Sequence, residues 1–306
     1  MKKIIGISLA ILMMAALFAG CGRTPTATTT PTATNSPAAV GSPTPTMTPA
    51  LSGSVKTGGS TSVEEVMQAL RFQFKADNKN VTIEYEANGS GDGIKGVLSD
   101  KYELGHSSRD LKEDGTEDGL VAVPYAIDGI VVIVHKSNTV TNLTKAQIKD
   151  IYTGKIKNWK DVGGKDELIT VVSRESTSGT RTAFAEIIGL EKKDADGNPD
   201  PATALLADKI EQNSTGNVQT TVEGNAAAIG YISFSSLKDV VKAVEYEGVA
   251  ISTQTLKDDT YALKRNFYLL HKENATLSNE AAAFLEFVLS DAGQDIVKEN
   301  KLLPIK

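Results

Sequence analysis

Short apolar runs alternate along the chain with segments whose apolar residues recur at helical spacing. The runs that predict strands are residues 81–85, 120–123, 130–134, 169–172, 228–232 and 267–270. The stripe that predicts the first helix is formed by Val63, Val66, Met67, Leu70 and Phe74. A second stripe, which predicts one last helix over residues 279–299, is formed by Ala282, Leu285, Val288 and Leu289. This alternation predicts an α/β fold in which helices flank the sheets.

The first twenty residues have the pattern of an export signal. Two lysines precede an apolar run over residues 4–18, and the small pair Ala19-Gly20 closes the segment. We therefore predict a signal peptide over residues 1–20. A retained transmembrane anchor is the alternative, but the run is shorter than the roughly 20 apolar residues that a membrane span needs.

The single cysteine of the chain, Cys21, follows this segment directly. Residues 17–21 resemble the lipobox of bacterial lipoproteins, in which cleavage before the cysteine leaves a thiol that is acylated. Phe18 stands where leucine is commonest in that motif. Because an unpaired thiol is a liability in an oxidising compartment, the sequence favours lipid attachment at Cys21 over a free or buried thiol.

The segment after Cys21 cannot build a hydrophobic core. Residues 24–55 carry no charge, and six of the ten prolines lie there among many threonines, which favours extended chain. We predict a lipid-anchored, proline- and threonine-rich linker over residues 21–55 that holds the folded part away from a membrane. A glycosylated, mucin-like stalk is the alternative with the same composition. Globular sequence is expected from Lys56 onward.

Bulk composition argues against several functions. The chain has 306 residues and a formal net charge of −6, whereas proteins that bind nucleic acid usually present a basic surface. The three histidines, His106, His135 and His271, are scattered and none pairs with another at metal-ligand spacing. We therefore expect no nucleic acid partner, no metal and no cofactor, and any bound anion must be held by local groups.

Three segments rich in glycine and hydroxyl groups precede predicted helices: residues 58–62, 88–94 and 173–181. A glycine-rich turn that enters a helix leaves backbone N–H groups unpaired and presents the positive end of the helix dipole, which suits an anion. In the first segment, Ser62 and Glu65 have the spacing of a capping box. The third segment adds two arginines that can form charge-assisted hydrogen bonds. Each segment alone also fits an ordinary cap or loop, but three in one chain favour an anion site.

Two further charged residues stand at informative positions. Arg109 follows a Ser-Ser pair and either binds the anion or pairs with Asp110 at the surface. Asp128 enters an apolar strand, where carboxylates are rare unless they are paired or functional. Arg109 and Asp128 are therefore candidate partners.

In combination, these motifs resemble the substrate-binding lipoprotein of the bacterial high-affinity phosphate ABC importer. The matching segments are residues 59–63, 89–94, 107–111, 128–130, 151–159, 174–180 and 228–232. The similarity extends from about Gly58 to the C-terminus, and the Ile-Tyr-Thr-Gly stretch within 151–159 is distinctive although its chemistry cannot be derived from the residues.

The resemblance implies a two-lobed α/β fold of the type II periplasmic-binding-protein class, with mixed sheets flanked by helices. Two segments would cross between the lobes as a hinge, near residues 128–130 and 231–234. Lobe 1 would comprise residues 56–128 and 234–306, and lobe 2 residues 129–233.

The resemblance also implies which residues hold the phosphate. By their positions in the motifs these are Thr61, Ser62, Ser90, Arg174, Ser178, Gly179 and Thr180. Some family members carry an aspartate, which accepts the phosphate proton, where this chain has Arg109. We expect Asp128 to take over that role, with Arg109 orienting it or touching the anion. A carboxylate at this place would favour phosphate, which carries a proton near neutral pH, over sulfate, which does not.

The expected function is extracytoplasmic capture of inorganic phosphate by a monomer that delivers it to the permease and ATPase subunits of an ABC importer. The protein would be secreted, anchored by lipid at Cys21 to the outer face of the cell membrane, and not an enzyme. A binding protein for sulfate, molybdate or a phosphonate is one alternative, and a lipid-tethered sensor or adhesin is another. The least favoured is a secreted hydrolase with Ser90 or Ser178 as nucleophile, since no histidine stands in a recognisable nucleophile–base motif.

Overall fold

The computed structural model describes residues 50–193, 197–198 and 200–305. The predicted signal peptide, Cys21 and the linker up to residue 49 lie outside the described residues. Within the described part of the chain, no helix has the length and apolar character needed to cross a membrane.

Strands and helices alternate along most of the chain. The eleven described strands are β1 (Gly53–Gly59), β2 (Val81–Ala87), β3 (Leu104–Ser107), β4 (Leu120–Val134), β5 (Asn142–Leu143), β6 (Thr170–Arg174), β7 (Ile210–Gln212), β8 (Ala228–Ser233), β9 (Lys242–Tyr246), β10 (Lys264–Lys272) and β11 (Leu303–Pro304). The described α-helices are α1 (Glu64–Asp77), α2 (Ser90–Leu98), α3 (Lys145–Tyr152), α4 (Gly179–Ile188), α5 (Thr215–Glu223), α6 (Thr253–Lys257), α7 (Asn279–Leu289) and α8 (Asp291–Glu299). Short 3-10 turns cover Thr61–Val63 and Trp159–Val162. The predicted α/β class is confirmed.

One long strand, β4, connects the two halves of the sheet. The strand order is β2-β1-β3-β10-β4-β8-β6-β7, with parallel pairs on both flanks and antiparallel pairs around β4. The pairing of β4 with β10 ends at Gly129, and its pairing with β8 begins at Ile130. The sequence predicted two separate strands at 120–123 and 130–134. They are one strand because Asp128 between them finds buried partners and does not interrupt the ladder.

Hydrophobic clusters lie on both sides of this change of partner. All five residues of the predicted stripe of α1 are at most 2% exposed, and they pack with aromatic side chains such as Phe267 and Phe284. A second cluster contains Tyr152, Trp159 and Tyr231. In it the indole N–H of Trp159 donates to the carbonyl of Ala227 at 2.8 Å. The aromatic residues of the 151–159 motif therefore serve packing.

The folded part begins slightly earlier than the sequence predicted. Strand β1 starts at Gly53, three residues before the expected boundary at Lys56. Val55 is 1% exposed and pairs with Ile83 of β2, so a hydrophobic contact extends the strand into the end of the predicted linker.

The predicted last helix over 279–299 is wrong in one respect, since it is two helices. Ser290, with an extended backbone, ends α7, and its side chain accepts from the N–H of Gly293 to begin α8. Gly293 approaches the preceding turn so closely that a Cβ there would lie 2.2 Å from the carbonyl oxygen of Phe287. The stripe was also displaced, because the fully buried residues of α7 are Ala281, Phe284 and Val288.

Candidate anion-binding site

Four helical segments begin with hydroxyl-bearing residues in one region of the molecule. They are the 3-10 turn before α1, and the first turns of α2, α4 and α5. Their first turns contribute Thr61, Ser62, Ser90, Thr180 and Thr215. Each of the four follows a strand, so the sheet fixes where each helix begins. Their N-terminal dipole ends give this region a positive potential.

The side chains form what we call the hydroxyl cluster: Ser60, Thr61, Ser62, Ser90, Ser108, Thr180 and Thr215. Every member is at most 4% exposed. Ser62 Oγ lies 2.6 Å from Thr180 Oγ1, and Thr61 Oγ1 lies 3.2 Å from Thr215 Oγ1. Ser108 Oγ lies 2.7 Å from Ser60 Oγ and 3.2 Å from Ser90 Oγ. Three segments that stand far apart in the sequence, carrying Thr61 with Ser62, Ser90, and Thr180, are therefore brought together.

Gly179 is required where α4 meets α2. A Cβ at Gly179 would lie 2.3 Å from Ser90 Oγ and 2.7 Å from Ser108 Oγ. The segment before α4 also touches α2 directly, since the N–H of Gly91 donates to the carbonyl of Thr177 at 2.9 Å. Glycine thus lets two helix starts meet without a side chain between them.

Arg174, at the end of β6, places a buried positive charge at the cluster. Its Nε and Nη2 each donate to a carboxylate oxygen of Glu175 at 2.7 Å. Its Nη1 donates to Thr215 Oγ1 at 3.3 Å. Glu175 therefore fixes the guanidinium so that one edge remains directed at the hydroxyls. Ser178 lies beside this group as the N-cap of α4, where its Oγ accepts from the N–H of Arg181.

The first helix start is capped differently from the prediction. Ser60, not Ser62, is the N-cap, and its Oγ accepts from the N–H of Ser62 at 3.2 Å. The Ser62 hydroxyl instead faces Thr180 and Thr215. The capping-box spacing of Ser62 and Glu65 was therefore misleading, because a 3-10 turn precedes α1.

Arg109 is committed to another partner. Its guanidinium forms a buried ion pair with Glu117, with Nη2–Oε1 at 2.5 Å and Nη1–Oε2 at 2.9 Å. Burial raises the pKa of Glu117, but the hydrogen bonds from Arg109 and from the N–H of Lys112, together with the positive charges of those two residues, outweigh it and lower that pKa. The expected pairing of Arg109 with Asp128 is wrong, as is a surface ion pair with the Asp110 carboxylate: Nη1 of Arg109 donates to the Asp110 carbonyl.

Asp128 is fully buried within β4 and pairs with Arg265 of β10. Its Oδ2 accepts from Arg265 Nη2 at 2.9 Å and from Nε at 3.2 Å, and its Oδ1 accepts from Ser233 Oγ at 2.8 Å. Burial raises the pKa of Asp128, although the Arg265 charge and the Ser233 hydrogen bond act in the opposite direction. Both oxygens thus have protein donors, and neither is hydrogen-bonded to a hydroxyl of the cluster.

His106 lies behind the cluster as a neutral group. Its carbonyl accepts from the N–H of Ser60 at 3.0 Å, and its ring packs edge-on against Tyr85. Neither ring nitrogen has a hydrogen-bond partner among the described residues. Burial, followed by the charge of Arg71, lowers the pKa of His106 to about 3. The ring is uncharged at neutral pH and does not contact the serine hydroxyls as a base would.

Three members of the cluster, Ser60, Ser108 and Thr215, were not predicted as site residues from the sequence. Ser60 and Ser108 stood inside quoted motifs, but their neighbours Thr61 and Arg109 were chosen instead. Thr215 follows the short strand β7, which is too brief to be recognised from its pattern. The available indication was Ser214-Thr215 at the start of a segment whose Val218 and Val222 have helical spacing.

The arrangement concentrates hydrogen-bond donors in one buried region. Hydroxyls, helix starts and one guanidinium lie together there, and among the described residues no carboxylate is hydrogen-bonded to the seven hydroxyls. Buried hydrogen bonds of this kind are stronger than in water, and the combination suits an oxyanion with several acceptor oxygens.

Comparisons with known proteins agree with this chemistry. Residues 26–292 match the family model of the PBP superfamily domain. The phosphate-binding protein PstS of Bacillus subtilis is 31% identical over 258 residues, which cover 83% of this chain and 81% of that protein. The chain belongs to the PstS family of phosphate-binding proteins. The resemblance recognised in the motifs is therefore confirmed, and with it the periplasmic-binding-protein fold.

Solved structures of this family resemble the chain over most of its length. A Clostridium perfringens substrate-binding protein assigned to phosphate ABC transport, solved with bound phosphate, has a TM-score of 0.76 and 43% identity. It matches 83% of this chain and 100% of its own. An ABC-type phosphate transport receptor from Vibrio cholerae has a TM-score of 0.66 and 31% identity, over 81% of this chain and 99% of its own.

Proposed function

We propose that this protein binds inorganic phosphate outside the cytoplasm and delivers it to an ABC importer. The observation that carries the proposal is the hydroxyl cluster, in which buried side chains from four helix starts and Arg174 lie within hydrogen-bonding distance of one another. Membership of the PstS family supports phosphate as the anion. Of the residues named from the sequence, Thr61, Ser62, Ser90 and Thr180 would contact phosphate through hydroxyls, and the α4 start through Gly179 and Ser178.

Local groups explain how a protein with a net charge of −6 would hold an anion. The Glu175 carboxylate neutralises much of the charge of Arg174, so the site depends on many directed donors rather than on excess positive charge. When phosphate enters, each hydroxyl would exchange a neighbouring hydroxyl for a phosphate oxygen. Because the cluster is buried, those bonds would be strong.

We assign acceptance of the phosphate proton to the hydroxyls. The sequence suggested that Asp128 accepts the phosphate proton and that Arg109 assists it. The protein donors on both Asp128 oxygens and the Arg109–Glu117 ion pair support indirect roles for both residues. A hydroxyl such as that of Ser108 can accept the proton of phosphate and is free to rotate for that purpose.

Closure of two lobes would bury the anion. The proposed lobes comprise residues 56–128 with 234–306, and residues 129–233. The change of partner of β4 at Gly129 and the end of β8 at Ser233 support crossing points at those places. Ser62 and Ser90 would then come from one lobe and Arg174 and Thr180 from the other, so phosphate would hold the lobes together and create the shape that an importer recognises.

The remaining features of the proposal concern the membrane. We infer a cleaved signal peptide, a lipid at Cys21 and a linker that lets a monomer reach the permease and ATPase subunits of an importer. Membrane fractionation tests this part: the wild-type protein should sediment with membranes, whereas Cys21→Ser should be released. Equal release of both proteins would contradict lipid anchoring.

Calorimetric titration with phosphate, repeated with sulfate, molybdate and a phosphonate, tests the binding function. We expect one phosphate per chain and much weaker heats with the other anions. Preference for another oxyanion would assign the protein to that ligand, and turnover of a phosphoester would indicate a hydrolase. Absence of binding to every anion would overturn the proposal and favour a sensor or adhesin.

A further inference from the structure

Arg265, on β10, is a second buried guanidinium, and the carboxylate that holds it leaves one of its nitrogens unused. Its side chain is 4% exposed. Nε and Nη2 are both used on Oδ2 of Asp128. Nη1 is buried and has no hydrogen-bond partner among the described residues. A buried, charged N–H group without an acceptor is costly and rare, which indicates that a ligand completes it.

The arrangement of Arg265 repeats that of Arg174. Each guanidinium donates through Nε and Nη2 to one carboxylate, Glu175 for Arg174 and Asp128 for Arg265. In Arg174 the remaining nitrogen, Nη1, is directed at Thr215 of the hydroxyl cluster. In Arg265 the same nitrogen is left open. The carboxylate in each case holds the guanidinium plane and leaves one edge for another acceptor.

Strand β8 links the two arginines, because Tyr231 contacts Arg174, and Ser233, two residues further along on the same face of the strand, contacts the Asp128 that holds Arg265. Burial lowers the pKa of Arg265, the Asp128 charge opposes this, and the positive charge of Arg174 lowers it further. The Tyr231 hydroxyl accepts from the N–H of Arg174 at 3.3 Å. Two buried cations that repel each other are stabilised by an anion that both can reach.

We propose that Arg265 is a further anion-binding residue, whose open Nη1 donates to the phosphate held at the hydroxyl cluster. This inference rests on the proposed function and extends it. Asp128 then acts as a positioning residue that holds Arg265, and Ser233 holds Asp128. The carboxylate that the sequence suggested as a direct ligand instead serves the site through the guanidinium it fixes.

Calorimetry with inorganic phosphate on the full chain tests this role in a pair of variants. Removing Arg265 alone would leave Asp128 buried and unpaired, so Asp128→Asn is compared with the double variant Asp128→Asn/Arg265→Gln. Asp128→Asn should bind phosphate more weakly than the wild-type protein, because an amide oxygen still accepts from Arg265 but holds the guanidinium less firmly, and it is the reference for the double variant because it keeps Arg265. The double variant should bind roughly 10- to 100-fold more weakly than Asp128→Asn, the loss of a charge-assisted hydrogen bond.

The matched control is Lys264→Gln, which removes a positive charge from the neighbouring position of β10. Lys264 pairs with Asp259 at a partly exposed site, and its replacement should leave the dissociation constant unchanged. The phosphate-induced rise in melting temperature separates ligation from stability. A structural role for Arg265 would lower the melting temperature of the unliganded double variant but leave the phosphate-induced rise intact.

Equal affinity of Asp128→Asn and the double variant would overturn the inference while leaving phosphate binding in place. Failure of the wild-type protein to bind phosphate would instead overturn the proposed function. Arg265 also lines a cavity of about 330 Å³ with Arg109 and Glu186. If the protein binds a second equivalent of phosphate and only that equivalent is lost in the double variant, Nη1 serves this cavity, which would also overturn the inference. If the double variant does not fold, Arg265→Lys and a phosphate-bound crystal structure decide: a gap above about 4 Å between Nη1 and every phosphate oxygen would overturn it.

Discussion

Replacement of Gly179 by alanine should weaken phosphate binding while the protein remains folded. Gly179 begins α4, and its backbone needs no conformation that alanine avoids. The added methyl group would lie 2.3 Å from Ser90 Oγ, 2.7 Å from Ser108 Oγ and 2.9 Å from Ser90 Cβ. All three distances are shorter than van der Waals contact, and both hydroxyls belong to the hydroxyl cluster. The variant therefore forces α4 away from α2 where phosphate would bind.

The size of the effect follows from packing costs. An extra methyl group in a close-packed site costs about 1–3 kcal/mol. In the proposed two-lobed arrangement, α2 and α4 belong to different lobes, which phosphate holds together. The packing cost is therefore subtracted from the free energy of phosphate binding. At 1.4 kcal/mol for each factor of ten, the dissociation constant rises roughly 5- to 150-fold. Alanine in place of a helical glycine raises the free energy of unfolding by at most about 1 kcal/mol. The substitution therefore changes stability and binding affinity in opposite directions.

Gly216→Ala is the matched control, because Gly216 stands in the first turn of α5 and its Cβ would meet a single atom, Ser214 Oγ, at 4.0 Å. Calorimetry should show wild-type affinity for Gly216→Ala and the weakened affinity for Gly179→Ala. Urea unfolding should show that both variants remain folded. A Gly179→Ala protein that binds phosphate within about twofold of the wild type would refute the packing explanation.

Three further predictions concern charge, acidity and the C-terminal helices. Arg174→Lys keeps the charge but loses the two-bond contact with Glu175, so calorimetry should show affinity for phosphate falling roughly tenfold or more, and an unchanged value would remove Arg174 from the site. Burial lowers the pKa of His106 from 6.5 to about 3, so between these values the unfolded chain binds more protons than the folded one. The free energy of unfolding should therefore fall by up to about 1.4 kcal/mol for each pH unit by which the pH is lowered through this window. Urea unfolding should show a steeper slope in the wild type and in His135→Gln than in His106→Leu, where carboxylates such as Glu117, whose pKa is also lowered, account for the rest. Equal slopes in all three proteins would contradict the prediction. Gly293→Ala should lower the free energy of unfolding by about 1–3 kcal/mol, because its Cβ meets backbone carbonyls, and wild-type stability would contradict that view of the α7–α8 break.

Local patterns predicted the elements well where burial is one-sided. The stripe of α1 was correct residue by residue because its five apolar side chains face one cluster. The break at Ser290 was missed because it depends on a close approach between Gly293 and the preceding turn. Such an approach leaves no mark in hydrophobic periodicity.

In the candidate site, too, the features with a local cause could be predicted and those set by distant contacts could not. The hydroxyl-bearing helix starts could be found from local sequence, since glycine and serine before an apolar stripe have a local cause. The partners of the buried charges could not. Glu117 takes Arg109, and Arg265 takes Asp128 from 137 residues away, because strand pairing between β4 and β10 sets that contact. Sequence alone offered no reason to prefer these pairs.

A crystal structure of the protein with bound phosphate tests the central claim most directly. We expect a single phosphate whose oxygens lie within about 3.2 Å of Thr61, Ser90, Thr180 and Arg174 together. Phosphate bound elsewhere, or these side chains directed at separate regions with no common anion, would contradict the account.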